Sequence, residues 1–289
     1  MTTPIPTYSL RYFSGSVDAP ADVFFLDEHT HTDGPPLYTP YRGTYYKIGI
    51  CLRGTLELKA NLETYTIDPN CLMLITPHVI KEWTAMSEDH DSLSVFFTRE
   101  FITSHTTVPT DSFHFLENIT RHVLPLSDAE AAAITSSLRF LQQKFPTPHP
   151  YREQVIRSLI NSLLYEVIAL YEQQHAVLQS TQTRSQQLAS AFKNLVNMHS
   201  VVERSVKFYA DRLCITPKHL TETLKETTGK TASAWIEQAV LLEAKALLQN
   251  QQLSVAQISD LLHFADQSAF SRFFRKSIGL SPTAYKQAG

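Results

Sequence analysis

From residue 45 onward, apolar positions come in short runs broken by turn residues. Tyr45-Tyr46-Lys47-Ile48-Gly49-Ile50-Cys51-Leu52 is an aromatic and β-branched run that stops at Arg53-Gly54, a pair that favours a turn. Thr55-Leu56-Glu57-Leu58-Lys59 then alternates with period two, as a strand with one buried face should. Further strands are expected at Thr64–Ile67, Leu72–Ile75 and Leu93–Phe97, with Asp68-Pro69-Asn70 and Thr76-Pro77-His78 as breaks. Short strands with turns at this spacing, across residues 1–104, predict a sandwich or barrel.

After about Pro125 the period changes to that of helices. Leu126-Ser127-Asp128-Ala129-Glu130 supplies a cap and an acidic first turn for an Ala/Leu-rich helix that should run to about Phe145. The prolines of 146, 148 and 150 break it. A second helix is expected from Tyr151 to about Gln174, with Val155, Leu159, Leu163, Val167 and Leu170 in one stripe. Gln173 to Gln187 is rich in Gln, Ser and Thr without apolar periodicity, which reads as a linker.

Residues 190–287 hold an internal repeat with a period of about 49 residues. The first copy is Val206 to Leu213, a turn at Cys214-Ile215, then Thr216-Pro217-Lys218 onward to a stop at Gly229. Thr216 suits an N-cap and Pro217 the first helical position, where its missing N–H costs nothing. The second copy is Ser254 to Leu262, a turn at His263-Phe264-Ala265, then Asp266 through Ile278 and Gly279. Ser254 and Gln257 have capping-box spacing, Asp266 can cap the helix after it, and both glycines stand where helices end. Each copy is a short helix, a tight turn and a second helix, the helix-turn-helix plan.

In the second copy Phe270, Phe273, Phe274 and Ile278 share one face, leaving Gln267, Ser268, Ser271, Arg272, Arg275 and Lys276 on the other. In the first, Leu220 and Leu224 point inward and Lys218, Thr221, Glu222 and Lys225 outward. Amides, hydroxyls and cations on such faces can reach base edges and phosphates of double-stranded DNA. An amphipathic helix from about Ala232 to Asn250 separates the copies. Its length of roughly 27 Å suits two recognition helices set near the ~34 Å spacing of successive major grooves.

Charge sharpens this picture. Residues 185–289 carry 12 Lys+Arg and 8 Asp+Glu, a balance of +4, whereas residues 1–184 carry 13 and 20, a balance of −7. A basic C-terminal part is compatible with a polyanion partner. The composition, 43% hydrophobic and 18% charged, is that of an ordinary globular protein. No apolar run approaches the ~20 residues that cross a bilayer, and Met1 to Leu10 lacks the pattern of a signal peptide. Cys51, Cys71 and Cys214 have no metal-type spacing; reduced thiols in a cytoplasmic protein are expected.

Trp235-Ile236, Leu241-Leu242-Glu243-Ala244-Lys245-Ala246-Leu247-Leu248, Phe264-Ala265-Asp266-Gln267-Ser268-Ala269-Phe270-Ser271-Arg272-Phe273-Phe274 and Gly279-Leu280-Ser281-Pro282-Thr283-Ala284-Tyr285-Lys286 closely resemble the AraC/XylS family of transcription regulators. The resemblance covers about a third of the chain. Residues 20–100 more loosely resemble that family's cupin-type effector domain, and the helices of 126–174 look like its dimerisation region. The resemblance implies an α+β multidomain chain with a cupin-like β-barrel over residues 1–124 and a helical dimerisation segment over 125–175. A linker over 176–189 and an all-α domain over 190–289, with two helix-turn-helix units, complete it. It implies a bacterial, cytoplasmic, non-enzymatic regulator that binds operator DNA as a homodimer, answers to a small molecule and can engage RNA polymerase. Lys218, Thr221 and Glu222 take the base-reading positions of the first unit by this resemblance, and Gln267, Ser268, Ser271 and Arg272 those of the second.

The chain departs from the family at four places. Cys214 and His263 stand where glycine is usual, Glu222 where a cation is common, and Val240 near a usual arginine. Elsewhere, Arg42, Tyr45, His78 and Trp83 are candidates to line a barrel mouth around a small polar ligand. His29 and His31 have the i, i+2 spacing of a strand-borne metal pair. Gly34-Pro35-Pro36 follows them in place of a glutamate, so neither a metal nor another cofactor is expected. A metal-dependent cupin enzyme carrying a DNA-binding appendage, and a C-terminal module that binds protein alone, are the competing readings.

Overall fold

The computed structural model describes residues 5–10, 23–26, 38–77, 79–103, 116, 119 and 121–287. The chain divides into two compact units, one of Thr7–His175 and one of Met1–Pro6 with Ala176–Gly289.

The first unit contains strands β1 (Thr7–Tyr8), β2 (Val23–Leu26), β3 (Tyr41–Gly43), β4 (Tyr46–Arg53), β5 (Leu56–Ala60), β6 (Glu63–Ile67), β7 (Cys71–Ile75), β8 (Ile80–Met86), β9 (Asp91–Phe97) and β10 (Val123–Pro125). They form two five-stranded sheets, ordered β1-β3-β8-β5-β6 and β10-β7-β4-β9-β2. Pairing is antiparallel apart from the short β1–β3 contact. A closed barrel was expected; among the described residues the strands instead form two separate sheets sharing one core. Tyr41, Leu58, Ala60 and Trp83 enter that core from one sheet, and Cys51, Met73, Ile75 and Phe96 from the other.

The second sheet is covered on both sides. Its outer face, Ile48, Ile50, Leu72, Leu74, Val95 and Phe97, packs on helices α2 (Asp128–Lys144) and α3 (Arg152–Thr181). This explains why Tyr46 to Cys51 is buried without alternation: a strand with cover on both faces reads as a continuous apolar run. A short helix α1 (Arg99–Thr103) precedes them, and Arg157 of α3 is pinned to it by donating through Nε to the Phe101 carbonyl at 2.7 Å. Leu163 and Val167 of the expected α3 stripe are fully buried in this core, with Ile156, Ile160 and Leu164 beside them. The apolar face of α3 is therefore taken by the chain's own sheet.

The C-terminal unit holds α4 (Arg184–His199), α5 (Val206–Arg212), α6 (Pro217–Thr228), α7 (Ala232–Leu247), α8 (Val255–Leu261), α9 (Gln267–Ile278) and α10 (Pro282–Gln287). The linker expected over 176–189 is instead largely helical, since α3 continues to Thr181 and α4 starts at Arg184. The reason is a capping box: Thr183 Oγ1 accepts from the Gln186 N–H while Gln186 Oε1 accepts from the Thr183 N–H. Behind it, Ala189, Phe192 and Val196 are buried, and Phe192 meets Tyr209 edge-on with ring centroids 5.5 Å apart. No helix among the described residues is long and apolar enough to cross a membrane.

Candidate nucleic-acid interface

The repeat of about 49 residues reappears as repeated hydrogen bonding. At the end of α5 the Cys214 N–H donates to the Asp211 carbonyl and Ile215 N–H to that of Ala210. At the end of α8 the His263 N–H donates to the Asp260 carbonyl and Phe264 N–H to that of Ser259. Each donor and acceptor in the second turn lies 49 residues after its counterpart. Beyond the turn the offset becomes 50: α6 begins at Pro217 and α9 at Gln267, and they stop at Gly229 and Gly279. Ala265 is the added residue.

Both turns require a left-handed residue, and neither has glycine there. Cys214 has φ 55° and His263 φ 54°. Cys214 and His263 are thus two strained positions, with both side chains exposed. The helix stops, by contrast, do use glycine: Gly229 and Gly279 have φ of 73° and 83°, which a residue with a Cβ adopts only at a cost.

The caps fix where α6 and α9 start. Thr216 Oγ1 accepts from the His219 N–H at 3.2 Å, and Asp266 Oδ1 from the Ala269 N–H at 2.7 Å. Leu220 and Leu224 bury one side of α6, Phe270 and Phe274 one side of α9. Around the latter lie Ala244, Leu248, Ile258, Leu262 and Tyr285. The opposite sides remain in solvent. Lys218, Glu222 and Lys225 are exposed and Thr221 is half-buried; Gln267, Ser268, Arg272, Arg275 and Lys276 are exposed and Ser271 half-buried.

The two faces differ in charge. On α6, Lys218 lies 3.9 Å from Glu222, and Thr221 Oγ1 donates to the Pro217 carbonyl. With Lys225 and Glu226 added, the exposed face of α6 is neutral; Arg272, Arg275 and Lys276 give α9 three positive charges and no negative one. Glu222 and Arg272 occupy equivalent positions, as do Glu226 and Lys276, at the offset of 50.

Sequence reasoning missed Arg204. Its guanidinium lies 3.6 Å from the centre of the Phe264 ring and donates to the carbonyls of Val201 and Leu262. The loop before the first unit is thereby tied to the turn of the second. Nothing in the local sequence, Val201-Val202-Glu203-Arg204-Ser205, signals the link to that turn, because Leu262 and Phe264 lie about sixty residues away. Lys286 was also unassigned; its ammonium holds the connection between α7 and α8 by donating to the Asn250, Gln251 and Leu253 carbonyls.

Of the other expected site residues, two meet and one stands apart. Tyr45 and Trp83 are buried in the core between the sheets. Arg42 stands between Tyr41 and Gly43 on β3 and, by strand alternation, on the opposite face. His78, His29 and His31 lie outside the described residues. Among the described residues, no cluster of three His, Cys, Asp or Glu side chains could hold a metal ion.

A model of a helix-turn-helix domain matches residues 209–288. The arabinose operon regulatory protein of Salmonella typhimurium is 30% identical over 77 residues, 27% of this chain and 27% of that protein. The HTH-type transcriptional activator RhaS of Escherichia fergusonii is 35% identical over 78 residues, 27% of this chain and 28% of that one. The chain thus spans about a quarter of the length of these curated relatives. Among solved structures, ToxT from Vibrio cholerae O395 aligns over 92% of this chain and 96% of its own at 14% identity, with a TM-score of 0.35. Residues 209–288 are thus a helix-turn-helix domain, similar in sequence to parts of the arabinose operon regulatory protein and of RhaS.

Proposed function

We propose that the chain is a sequence-specific DNA-binding transcription regulator, with α9 as its principal recognition helix. The observation that carries this reading is the exposed face of α9, three cations beside Gln267, Ser268 and Ser271, presented by a capped helix behind a helix-turn-helix turn. Such a face offers donors for guanine and adenine edges and for phosphates. Base-reading roles are proposed for Gln267, Ser268, Ser271 and Arg272 and backbone roles for Arg275 and Lys276; Lys218, Thr221, Glu222 and Lys225 form the weaker first contact. Fragments selected from the source genome would supply the operator. Arg272→Ala is then expected to weaken operator binding by about 1–3 kcal/mol if it reads a guanine, with much less effect on unrelated DNA. Equal operator affinity of variant and wild type would remove Arg272 from the readout, and absence of any salt-dependent DNA binding would remove the regulator reading.

The N-terminal unit is proposed as a sensor, whose two-sheet core takes the place assigned from sequence to a cupin-like barrel. A homodimer through residues 151–174 belongs to the same reading. Tyr165 exposes a large ring on the side of α3 that its own sheet leaves uncovered, and Tyr151 exposes another just before the helix starts. A monomer at micromolar concentration in analytical ultracentrifugation would contradict it.

A further inference from the structure

The core between the sheets contains two lysines. Lys47 comes from β4 and Lys81 from β8, with relative exposures of 6% and 1%. Each ammonium lies over two aromatic rings. The Lys47 nitrogen is 5.0 Å from the Trp83 ring centre and 5.5 Å from that of Phe96; that of Lys81 is 4.8 Å from Tyr41 and 4.5 Å from Tyr45. The two ring pairs touch: Trp83 Nε1 donates to Tyr41 Oη at 3.0 Å, and Tyr45 meets Phe96 edge-on at 5.3 Å. Both ammoniums therefore border a single four-ring cluster.

Ser94 of β9 joins them. Its side chain is fully buried, and neither its Oγ nor Lys81 Nζ has a hydrogen-bond partner among the described residues. Ser94 pairs across the sheet with Gly49. A Cβ on Gly49 would lie 2.3 Å from Ser94 Oγ and 3.2 Å from Lys47 Cε, so glycine leaves the space these polar groups occupy. Aromatic faces attract an ammonium but return less than its removal from water costs. A buried hydroxyl and two buried cations with no carboxylate beside them among the described residues are left in deficit.

We propose that Lys47, Lys81 and Ser94 form the polar end of a binding site for a small organic carboxylate, whose apolar body lies among the rings and Met73, Ile75 and Leu58. A phosphate would want more N–H donors than this lining offers. The inference rests on the sensor reading and gives its ligand a chemical class. Burial pushes Lys47 down to about 8 and Lys81 well below the usual lysine range, the Lys47 charge adding to the latter. A carboxylate would reverse both shifts and draw protons from solution as it binds.

The test uses the full chain with benzoate and octanoate, each against its neutral amide. The carboxylates are expected to raise the unfolding temperature and the amides not. Calorimetry at pH 8.5 in two buffers of different ionisation enthalpy should show proton uptake. Lys81→Met should lower carboxylate affinity at least about tenfold; should that variant not fold, the proton uptake of the wild type decides. Equal response to acid and amide, no response to either acid, or undiminished binding by Lys81→Met overturns the proposal. Amide binding to the N-terminal unit would do so while leaving the sensor reading in place. Carboxylate binding without any effect on DNA affinity would keep the site and remove the sensor role.

Discussion

Cys214 and His263 show how a single side chain can work against the fold that carries it. A left-handed backbone costs a residue with a Cβ about 1–2 kcal/mol, and less for His, which tolerates that region better. Neither residue recovers the cost by packing, as both are exposed. Cys214→Gly is therefore expected to stabilise the C-terminal unit by about 1 kcal/mol, part of the gain being offset by the greater freedom of glycine in the unfolded chain. His263→Gly should give less. Urea unfolding with a signal from this unit, such as Trp235 fluorescence, measures both; a loss of stability in Cys214→Gly would mean that the thiol makes a contact worth more than the strain. The two cysteines between the sheets are different in kind, since burial pushes the Cys51 thiol up to about 11 and raises that of Cys71, which makes them poor nucleophiles.

Among the elements, those announced by local chemistry were legible and those made by tertiary cover were not. Ser127, Thr216, Ser254, Asp266, Gly229 and Gly279 mark helix ends whose geometry depends on a few neighbouring residues, and each cap lies where the sequence implies. Thr183 and Gln186 carried the same signal inside a polar stretch, where composition outweighed it. Strand β8 was missed because Lys81 and Glu82 interrupt its apolar pattern. Only the facing rings of Tyr41 and Tyr45, distant in sequence, make Lys81 a core residue. The stripe of α3 reports that a face is covered but not by what; the cover is the second sheet. The recognition faces could be read residue by residue because exposure follows directly from helix period once the buried side is known. Lys47, Lys81 and Ser94 could not, as their meeting depends on how two sheets stack.

At the scale of the whole molecule, the charge difference between residues 1–184 and 185–289 resolves into a narrower one between two helices. Arg275 and Lys225 are equivalent cations, yet Lys225 shares its face with Glu222 and Glu226 whereas Arg275 has Arg272 and Lys276 beside it. Each phosphate contact released by salt contributes about one unit to the slope of log affinity against log salt. Arg275→Gln is thus expected to reduce that slope by about 1 and Lys225→Gln by clearly less. Equal reductions would mean that both helices lie equally close to the backbone.

The placement of β4 at the centre of its sheet sets an order of events during folding. Its partners β7 and β9 begin about 25 and 45 residues further along the chain, and β10 beyond β7 is later still. The N-terminal unit must close these loops before its sheet is complete, whereas α5 to α10 are joined by short local turns. Chains rich in local contacts fold faster than those built on distant strand pairing. When the whole chain refolds from denaturant, the helices are therefore expected to complete their structure sooner than the sheets. A refolding chain accordingly passes through an interval in which the part proposed to contact DNA is formed while the part proposed to govern it is not.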